Sequence, residues 1–451
     1  MTSSVTDNFK RHLLNEFKNE IDGSDVQYYM GLARSDNFVV GEDQSSLYFQ
    51  SQLRHTMQSV KILSSNSFVV PHIPWSSGVS YSQYDEADLN TNFYVVNSSN
   101  EVFVCIQTGK VADGTIRPST VEPTSGSLAS SFKTSDGYIW RQVAMLSNVA
   151  ISNFLTSDWM PIKTIVDQSP NLSIPQDSDQ RDLQNLAVPG EIINLAIDSG
   201  GTGYTTAPTI TITGNGSSAS FTCNINAGKI VRINIDSDDN GIISHGSGYD
   251  YASVVLSDGD AVIRPVIGSP DGINADPIKT LKAKSLMVQA DFVGSENNTI
   301  QANSEFNQMF LLKDPKQYGS SSAFVGNTGN ALKSFTVSSV IGDWNDNNMM
   351  FSDLAGGTKK GKVFYYSGNT LYYYQDEETG FNSFETGAIV SVNNAGITAT
   401  VDAIINPDID AYSGDILYIN NINTDLTSNE TLGITRVSTQ TEDTKVIIQL
   451  G

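Results

Sequence analysis

The sequence predicts an all-β, multidomain protein made of antiparallel β-sandwiches or barrels, with one N-terminal helix and two inserted β modules. Its composition, with 36 Gly, 18 Tyr, 19 Phe and only 17% charged residues, is typical of short strands joined by many turns. A chain of 451 residues is too long for one ordinary core, so several domains are expected. Segments such as residues 131–143 place a polar turn directly before a strand-like run.

The turn in that segment is Asp136-Gly137, a strong turn dipeptide because Gly accepts a positive φ. The run that follows, Tyr-Ile-Trp-Arg-Gln-Val, suits a strand beginning straight after the turn. A large indole at such a place is usually buried. We therefore expect Trp140 to anchor a core and to have no chemical role.

Composition shifts and internal repetition predict how the chain is divided. Five segments are expected: 1–185, a β-rich body with the N-terminal helix; 186–268, an inserted β module; 269–324, a return to the body; 325–409, a second inserted β module; and 410–451, terminal strands that complete the body. We expect these terminal strands to pack with the body instead of forming a detached domain.

Residues 7–21 predict the N-terminal helix, because apolar residues recur there at helical spacing. Asp7 suits the N-cap and Gly23 the stop. Two interpretations stay open: the helix docks on its own domain, or it is lent to a neighbouring subunit. A second helix is possible around residues 53–60. The apolar residues of the first helix are Phe9, Leu13, Leu14, Phe17 and Ile21.

Runs of apolar and aromatic residues predict most strands of the body. They lie at residues 26–35, 68–71, 93–97, 102–106, 306–312, 416–419 and 445–450. Residues 98–100, between two of these runs, favour a β-hairpin. Alternating residues predict a further strand over 281–289, with an imperfect apolar face.

Residues 186–268 contain an internal repeat. Residues 190–199 are similar to residues 228–237, and each copy continues through a Gly-Tyr turn, at Tyr204 and Tyr249, into a strand. The two strands are residues 208–212 and 252–256. The module is either a structural spacer or a contact surface for another protein or a glycan.

The second inserted module is predicted to hold a tyrosine-rich hairpin. Its strands, residues 363–366 and 371–374, flank a turn at residues 367–370. Tyrosines on such a hairpin look exposed. Together with the Gly-Tyr turns, they suggest a receptor- or glycan-binding β protein as an alternative function.

Two glycine-rich stretches fit nucleotide-binding patterns, but the residues that follow them argue against nucleotide binding. Residues 356–362 fit G-x-x-x-x-G-K, yet Val363 stands where Mg²⁺ binding needs Ser or Thr. Residues 214–219 fit G-x-G-x-x-A. Both lead into strands instead of the helix whose N-terminus would hold phosphate, so no nucleotide site is predicted.

An acidic stretch matches the first half of a calcium-binding loop. Asp236, Asp238 and Asn240 have the required spacing, but the twelfth position is Ser247 instead of Glu and no helices flank it. We interpret it as an acidic turn, with bound Ca²⁺ as the alternative.

No other motif for catalysis or metal binding is found. There is no G-x-S-x-G elbow, and the histidines show no metal-binding spacing. The sequence therefore predicts no catalytic, cofactor-binding or metal-binding residues and no enzyme activity. The four histidines are His12, His55, His72 and His245.

Charge and cysteine content limit the possible partners. The net charge of −23 argues against nucleic acid and anionic membranes, since both need clustered cations. Cys105 and Cys223 lie in apolar strand-like runs and are expected to be buried free thiols. We find neither a signal peptide nor an apolar run long enough to cross a bilayer, and expect folding in a cytoplasm.

Four blocks of residues, taken in order, resemble the baseplate wedge subunit (gene product eight) family of T4-type contractile-tailed bacteriophages. The blocks are residues 29–35; residues 57–63 continuing to 70–75; residues 136–140 with Met160-Pro161; and residues 413–419 followed by 440–443. Residues 281–315 also resemble later core strands of the family. The resemblance covers roughly residues 20–165, 278–315 and 410–451, and the two inserted modules depart from the family pattern.

This resemblance implies an all-β structural protein of the virion, located in the tail baseplate and assembled in the cytoplasm of the host bacterium. It implies a homodimer within each wedge, with other baseplate wedge proteins as neighbours. It implies a part in baseplate assembly and in the rearrangement that triggers sheath contraction. The family has no catalytic residues to transfer.

Overall fold

The computed structural model confirms the predicted all-β class. Strands make up 43% of the structure and helices 12%, with many antiparallel sheets and one six-stranded barrel. The residues described by the structure are 5–34, 46–87, 92–124, 131–167, 172–235, 243–296, 299–300, 304–345, 348–392, 396–422, 424–425, 430–431 and 433–450.

Five helices lie in the described residues, and only the first is long. They are α1 (Asp7–Asp22), α2 (Leu47–His55), α3 (Asn148–Phe154), α4 (Pro175–Asn185) and α5 (Pro277–Thr280). The sequence predicts α1, but α3, α4 and α5 are not predicted, because they are short and lack a clear apolar stripe.

Helix α1 confirms the predicted helix but not its cap. The Thr6 hydroxyl accepts a hydrogen bond from the backbone N–H of Phe9 at 3.3 Å, so Thr6 caps the helix and Asp7 is already helical. Of the predicted apolar face, Leu14 is buried, whereas Phe9 and Leu13 are exposed. The second half of α1 docks on its own chain, because the Phe17 ring meets the Tyr28 ring edge-on at 5.0 Å and Glu20 pairs with Lys313 at 2.9 Å. That a neighbouring subunit covers Phe9 and Leu13 stays a prediction.

The helix predicted around residues 53–60 is wrong in its position. Helix α2 begins earlier, where the Ser46 hydroxyl accepts from the N–H of Phe49, and it ends at His55. Residues 57–62 form a strand instead, since pairing with a neighbouring strand overrides their weak helical pattern.

The chain divides into two compact units, each made of separate chain segments. The first unit comprises residues 1–14, 67–287 and 447–451. The second unit comprises residues 15–66 and 288–446. The domain boundaries predicted from the sequence stay predictions.

The strands are numbered in chain order. Before residue 165 they are β1 (Tyr28–Ala33), β2 (Met57–Ile62), β3 (Ser65–Pro71), β4 (Tyr94–Val96), β5 (Glu101–Gln107), β6 (Phe132–Lys133), β7 (Ile139–Met145) and β8 (Trp159–Ile162). From 190 to 293 they are β9 (Ile192–Ser199), β10 (Ile210–Gly214), β11 (Ser217–Ser220), β12 (Thr222–Asn226), β13 (Lys229–Asn234), β14 (Ser244–Ser247), β15 (Ala252–Leu256), β16 (Val262–Ile267) and β17 (Ser285–Val293).

The remaining strands follow residue 304. They are β18 (Glu305–Phe306), β19 (Gln308–Lys313), β20 (Thr328–Asn330), β21 (Lys333–Ile341), β22 (Met350–Asp353), β23 (Lys360–Ser367), β24 (Thr370–Tyr374), β25 (Ile389–Val392), β26 (Ile397–Ile405), β27 (Asp415–Asn421), β28 (Thr424–Asp425), β29 (Glu430–Thr431), β30 (Ile434–Thr435) and β31 (Thr441–Gln449). The strand predicted over residues 281–289 begins only at Ser285, because Leu281 ends helix α5.

The first unit contains the sheet β4-β5-β7-β6, which holds the predicted hairpin of β4 and β5. Cys105 and Phe132 lie opposite Trp140 on the two strands that flank β7. Also in the first unit, β3 pairs antiparallel with β8, with Val70 opposite Met160.

The repeat lies in the first unit as four two-stranded sheets: β9 with β16, β10 with β15, β11 with β14, and β12 with β13. The two copies meet at their last strands, because β10 and β15 pair antiparallel with Ile212 opposite Val254. The first strands of the copies, β9 and β13, pair with other strands. Backbone hydrogen bonds also join the copies elsewhere, from Ile230 N to Gly200 O at 2.8 Å and from Tyr204 N to Gly228 O at 3.1 Å.

The second unit contains a five-stranded sheet and a closed barrel. The sheet has the order β20-β2-β1-β19-β27. The barrel has the order β21-β24-β23-β22-β25-β26, and its core is aromatic, with Phe335, Trp344, Phe351 and Phe384 buried. All barrel strands fall within residues 325–409, the second predicted module.

Across the residues that the structure describes, no helix combines the length and the apolar character that crossing a membrane requires.

Candidate functional site

The turn at Asp136-Gly137 is organised by one buried carboxylate. Gly137 has a φ of +89°, as the turn requires. Asp136 is 5% exposed, and its oxygens accept hydrogen bonds from both sides of the turn. The donors are Ser119 Oγ at 3.0 Å, Thr120 N at 2.7 Å, Val121 N at 3.0 Å, Thr134 Oγ1 at 2.5 Å and Tyr138 N at 3.4 Å.

Burial alone would raise the pKa of Asp136, but the hydrogen bonds from Thr134, Thr120, Val121 and Ser119 outweigh it and hold the pKa below its usual value. A carboxylate whose pKa is lowered by folding stabilises the fold at pH values above its unfolded-state pKa. That contribution is lost as the pH falls through the folded-state pKa.

We expect Asp136→Asn to destabilise the first unit most near neutral pH. The difference in urea midpoint between wild type and variant should begin to shrink as the pH falls below about 4, the ordinary pKa of an unfolded Asp, and should be lost as the pH passes through the lower pKa of the folded Asp136. Urea denaturation followed by circular dichroism between neutral and acidic pH measures this difference. The exposed Asp258→Asn is the control, and a difference for Asp136→Asn that stays constant with pH would contradict the assignment.

The prediction that Trp140 is buried is confirmed. Trp140 is fully buried and stacks on Tyr138, with ring centroids 5.5 Å apart and an interplanar angle of 15°. The Tyr81 ring meets Trp140 edge-on at 5.6 Å. Tyr138 and Trp140 are two residues apart on one extended segment, so both side chains point to the same face.

A buried ion pair that the sequence does not reveal lies beside this core. Arg141 donates two hydrogen bonds to the Glu191 carboxylate, at 2.5 and 2.8 Å. Both side chains are buried. Burial alone would raise the pKa of Glu191, but Arg141 holds it below its usual value. The pair connects β7 to the residue that precedes β9.

The Gly-Tyr turns of the repeat bury their tyrosines. Tyr204 and Tyr249 are 6% and 4% exposed. Each ring lies against a glycine that has no room for a side chain: a Cβ would be 2.2 Å from the Tyr204 hydroxyl at Gly259, and 2.4 Å from the Tyr249 ring at Gly216. These tyrosines therefore shape their own module and offer no ring to a partner.

The tyrosine-rich hairpin is also less exposed than the sequence suggests. The hairpin of β23 and β24 forms as predicted, but Phe364, Tyr373 and Tyr374 are buried. Tyr365 and Tyr372 are half-buried and stack with centroids 4.5 Å apart. A barrel strand faces the core on one side only. On the other side, Leu332 packs with Phe364 and Tyr374, and the Arg34 guanidinium lies 4.0 Å from the centre of the Phe364 ring.

The two excluded nucleotide motifs lead into strands, as the sequence predicts, the first into β23 and the second into β11. Lys362 of the first motif is on β23 and binds carboxylates of Asp376 at 2.8 Å and Glu378 at 2.7 Å. Residues 214–219 connect β10 to β11. Asp236, Asp238 and Asn240 lie outside the described residues, so the calcium hypothesis stays a prediction.

Three histidines, His55, His72 and His245, make hydrogen bonds within the protein, and both cysteines are buried. His55 contacts the Tyr412 hydroxyl at 2.7 Å and the Glu377 carboxylate at 3.0 Å. Cys105 and Cys223 are buried free thiols, as predicted, and burial raises the pKa of both. Within the described part of the chain, no group of three or more His, Cys, Asp or Glu side chains could hold a metal ion.

A polar cleft of about 310 Å³ opens in the first unit. Gln107 and Thr108, at the end of β5, line it together with residues of β9, β13 and β16. Arg264 spans one side, donating to Asp85 at 2.9 and 2.6 Å. Lys110 is on another side, and burial together with the charge of Arg232 lowers its pKa. The sequence gives no signal for this cleft, because its residues come from five distant segments.

Together these features define an all-β protein of several sheets and one closed barrel. The residues that stand out in the sequence lie in its cores and turns. In comparisons with known proteins, no family model matches the chain and no curated protein gives a significant match.

Proposed function

We propose that this chain is a structural subunit of the baseplate wedge in a contractile phage tail. It would contribute to baseplate assembly and to the rearrangement that triggers sheath contraction, as a homodimer in contact with other wedge proteins. The observation that supports this proposal is that the family-like blocks, far apart in the sequence, are neighbours in the fold.

In the second unit, blocks from four parts of the chain form adjacent strands. Val60 of β2 lies opposite Gly31 of β1, Gly31 lies opposite Phe310 of β19, and Phe310 lies opposite Ile419 of β27. One continuous row of residues thus crosses the four family-like strands. Such a row exists only while all four strands keep their register with one another.

The contact at the centre of this row is unusually close. A Cβ on Gly31 would lie 2.0 Å from Cζ of Phe310, so the glycine makes room for the ring. Gly31 belongs to the first block, and Phe310 to the stretch 281–315. Two separate family-like segments are therefore matched to each other in shape.

The first unit brings the other blocks together in the same way. Ile73 and Trp75 pack against the core that contains Tyr138 and Trp140. Met160-Pro161 pairs with Val69 and Val70 of β3. These contacts make the family-like residues a shared framework, which is what an architectural subunit needs.

The alternative function, a receptor- or glycan-binding β protein, draws no support from four of the tyrosines that suggested it, whereas Tyr365, Tyr366 and Tyr372 are half-buried. Tyr204 and Tyr249 are buried, and so are Tyr373 and Tyr374. A buried ring cannot contact a receptor without local unfolding.

We expect the purified chain to form a homodimer and to bind other tail proteins. Size-exclusion chromatography with light scattering should give about twice the chain mass of 48.8 kDa. Co-expression with the other tail proteins of the same genome should yield a complex that survives purification. A monomer that co-purifies with none of them would contradict the wedge proposal.

A further inference from the structure

Three aromatic side chains of the second unit are exposed and lie together. Tyr318 is 39% exposed, and Phe381 and Tyr412 are each 51% exposed. The rings of Phe381 and Tyr412 meet edge-on, with centroids 6.2 Å apart and an interplanar angle of 88°. Tyr318 and Tyr412 line the same small cavity. We call these three residues the aromatic surface.

This grouping of exposed rings is selective. A single exposed aromatic residue is ordinary, whereas a group of them marks a binding surface. Among the residues that the structure describes, six aromatic side chains are exposed, and half of them belong to the aromatic surface. The six are Phe9, Tyr48, Tyr251, Tyr318, Phe381 and Tyr412.

The buried ring of His55 holds two of the exposed rings in place. Its centroid lies 5.9 Å from that of Phe381 and 5.7 Å from that of Tyr412. The Tyr412 hydroxyl lies 2.7 Å from His55 Nδ1, which fixes the orientation of the tyrosine ring. Rings that are already held in one orientation lose little conformational entropy when a partner binds.

Two carboxylates beside the aromatic surface lack a cationic side chain as partner. Glu377 lies 3.0 Å from Nε2 of the same histidine, and its side chain is 67% exposed. Asp410 lines the cavity that the two tyrosines share. In the part of the chain that the structure describes, neither carboxylate forms an ion pair with lysine or arginine. In contrast, Lys362 binds both Asp376 and Glu378.

The pKa of Tyr412 reflects this negative charge. Burial of its hydroxyl and the charges of Glu377, Asp410 and Asp376 raise the pKa of Tyr412 to about 12. A negative potential at exposed rings favours the binding of a cation.

Two cations also line the shared cavity, but they are directed at oxygens of the protein. Arg54 donates to three main-chain carbonyls between residues 411 and 414, at 2.7 to 2.8 Å. Lys333 donates to the Gln375 side chain at 2.9 Å. Burial lowers the pKa of both groups. Both cations therefore support the loops that carry the aromatic surface.

A guanidinium group suits these surroundings better than an ammonium group. It is planar, so it can stack on an aromatic ring while its edge donates two hydrogen bonds to a carboxylate. Phe381 and Glu377 supply the ring and the carboxylate, and both contact His55.

We propose that the aromatic surface, together with Glu377, binds an arginine side chain of a partner protein. The proposal goes beyond the wedge assignment, because it names a surface and the chemistry of what binds there. It does not depend on that assignment, since a chain that fails the dimer and co-purification tests could still bind arginine here.

Saturation-transfer-difference NMR on the full chain tests this proposal. The probe is N-acetyl-arginine methylamide at millimolar concentration, in about 0.15 M salt to screen the general attraction of a chain with a net charge of −23. N-acetyl-citrulline methylamide has the same shape without the charge and is the ligand control. We expect the arginine probe to bind the wild type and the citrulline probe to bind about fivefold more weakly.

Two variants locate the binding. Phe381→Ala removes the ring, and Glu377→Gln keeps the side-chain shape and removes the charge, so each should weaken binding about twofold to fivefold. Tyr48→Ala and Asp343→Asn are the matched controls, because they change an exposed ring and an exposed carboxylate of the same unit outside the aromatic surface. Both controls should bind like the wild type.

Three results would overturn the proposal: no binding of the arginine probe, equal binding of the citrulline probe, or binding that neither Phe381→Ala nor Glu377→Gln weakens. If circular dichroism shows that Phe381→Ala does not fold, Glu377→Gln decides alone, because that side chain is largely exposed.

Discussion

Replacing Trp140 by alanine is expected to lower the free energy of unfolding of the first unit by about 3–5 kcal/mol. The indole is fully buried between Tyr81 and Tyr138 and faces Cys105 on the next strand. Its removal loses apolar burial and leaves a cavity that this packed aromatic cluster cannot fill by small shifts.

Urea denaturation measures this effect. Unfolding is followed by circular dichroism and not by fluorescence, because the substitution removes a fluorescent tryptophan. Tyr251→Ala is the control in the same unit, because Tyr251 is an aromatic residue that is 67% exposed. Its effect should stay within about 0.5 kcal/mol. An effect of Trp140→Ala as small as that of the control would show that the indole does not hold the core.

The second large effect is expected from the ion pair of Arg141 and Glu191. Glu191→Gln keeps the side-chain shape but leaves the Arg141 charge buried without a counter-ion, since Arg141 is 8% exposed. Breaking a buried pair in this way typically costs about 3–5 kcal/mol. The same denaturation experiment near neutral pH measures it.

The double variant Arg141→Met/Glu191→Leu separates charge from packing. It leaves no buried charge, so it should recover most of the stability lost in Glu191→Gln. Asp271→Asn is a control for an exposed pair, because Asp271 lies 3.6 Å from Lys279 and both are largely exposed. A double variant less stable than Glu191→Gln would mean that the pair matters through its shape and not through its charge.

Local chemistry explains which parts of the fold are predictable from the sequence. The turn at Asp136-Gly137 and the hairpin of β4 and β5 depend on residues next to each other, and both form as predicted. Helix α1 has a long apolar repeat and also forms as predicted. In contrast, residues 57–62 carry a helical pattern too weak to resist pairing with β1.

The candidate sites were harder to predict because distance in the sequence hides them. Nothing near Glu191 indicates that Arg141 will neutralise it. The cleft depends on Gln107 and Thr108 lying beside Arg264, which is a consequence of how the repeat module folds back on β5. The burial of Tyr373 was not predicted because it depends on closure of the barrel, which places its ring in the core with Phe335 and Phe351.

The contact between Gly31 and Phe310 has a consequence for how this protein can change over generations. A side chain at position 31 collides with the ring at position 310. Glycine at position 31, in contrast, is compatible with a smaller residue at position 310. Substitutions at these positions are therefore epistatic, and only one order of mutation is open: the ring has to shrink before the glycine can be replaced. Lineages that keep Phe310 are held to glycine at position 31.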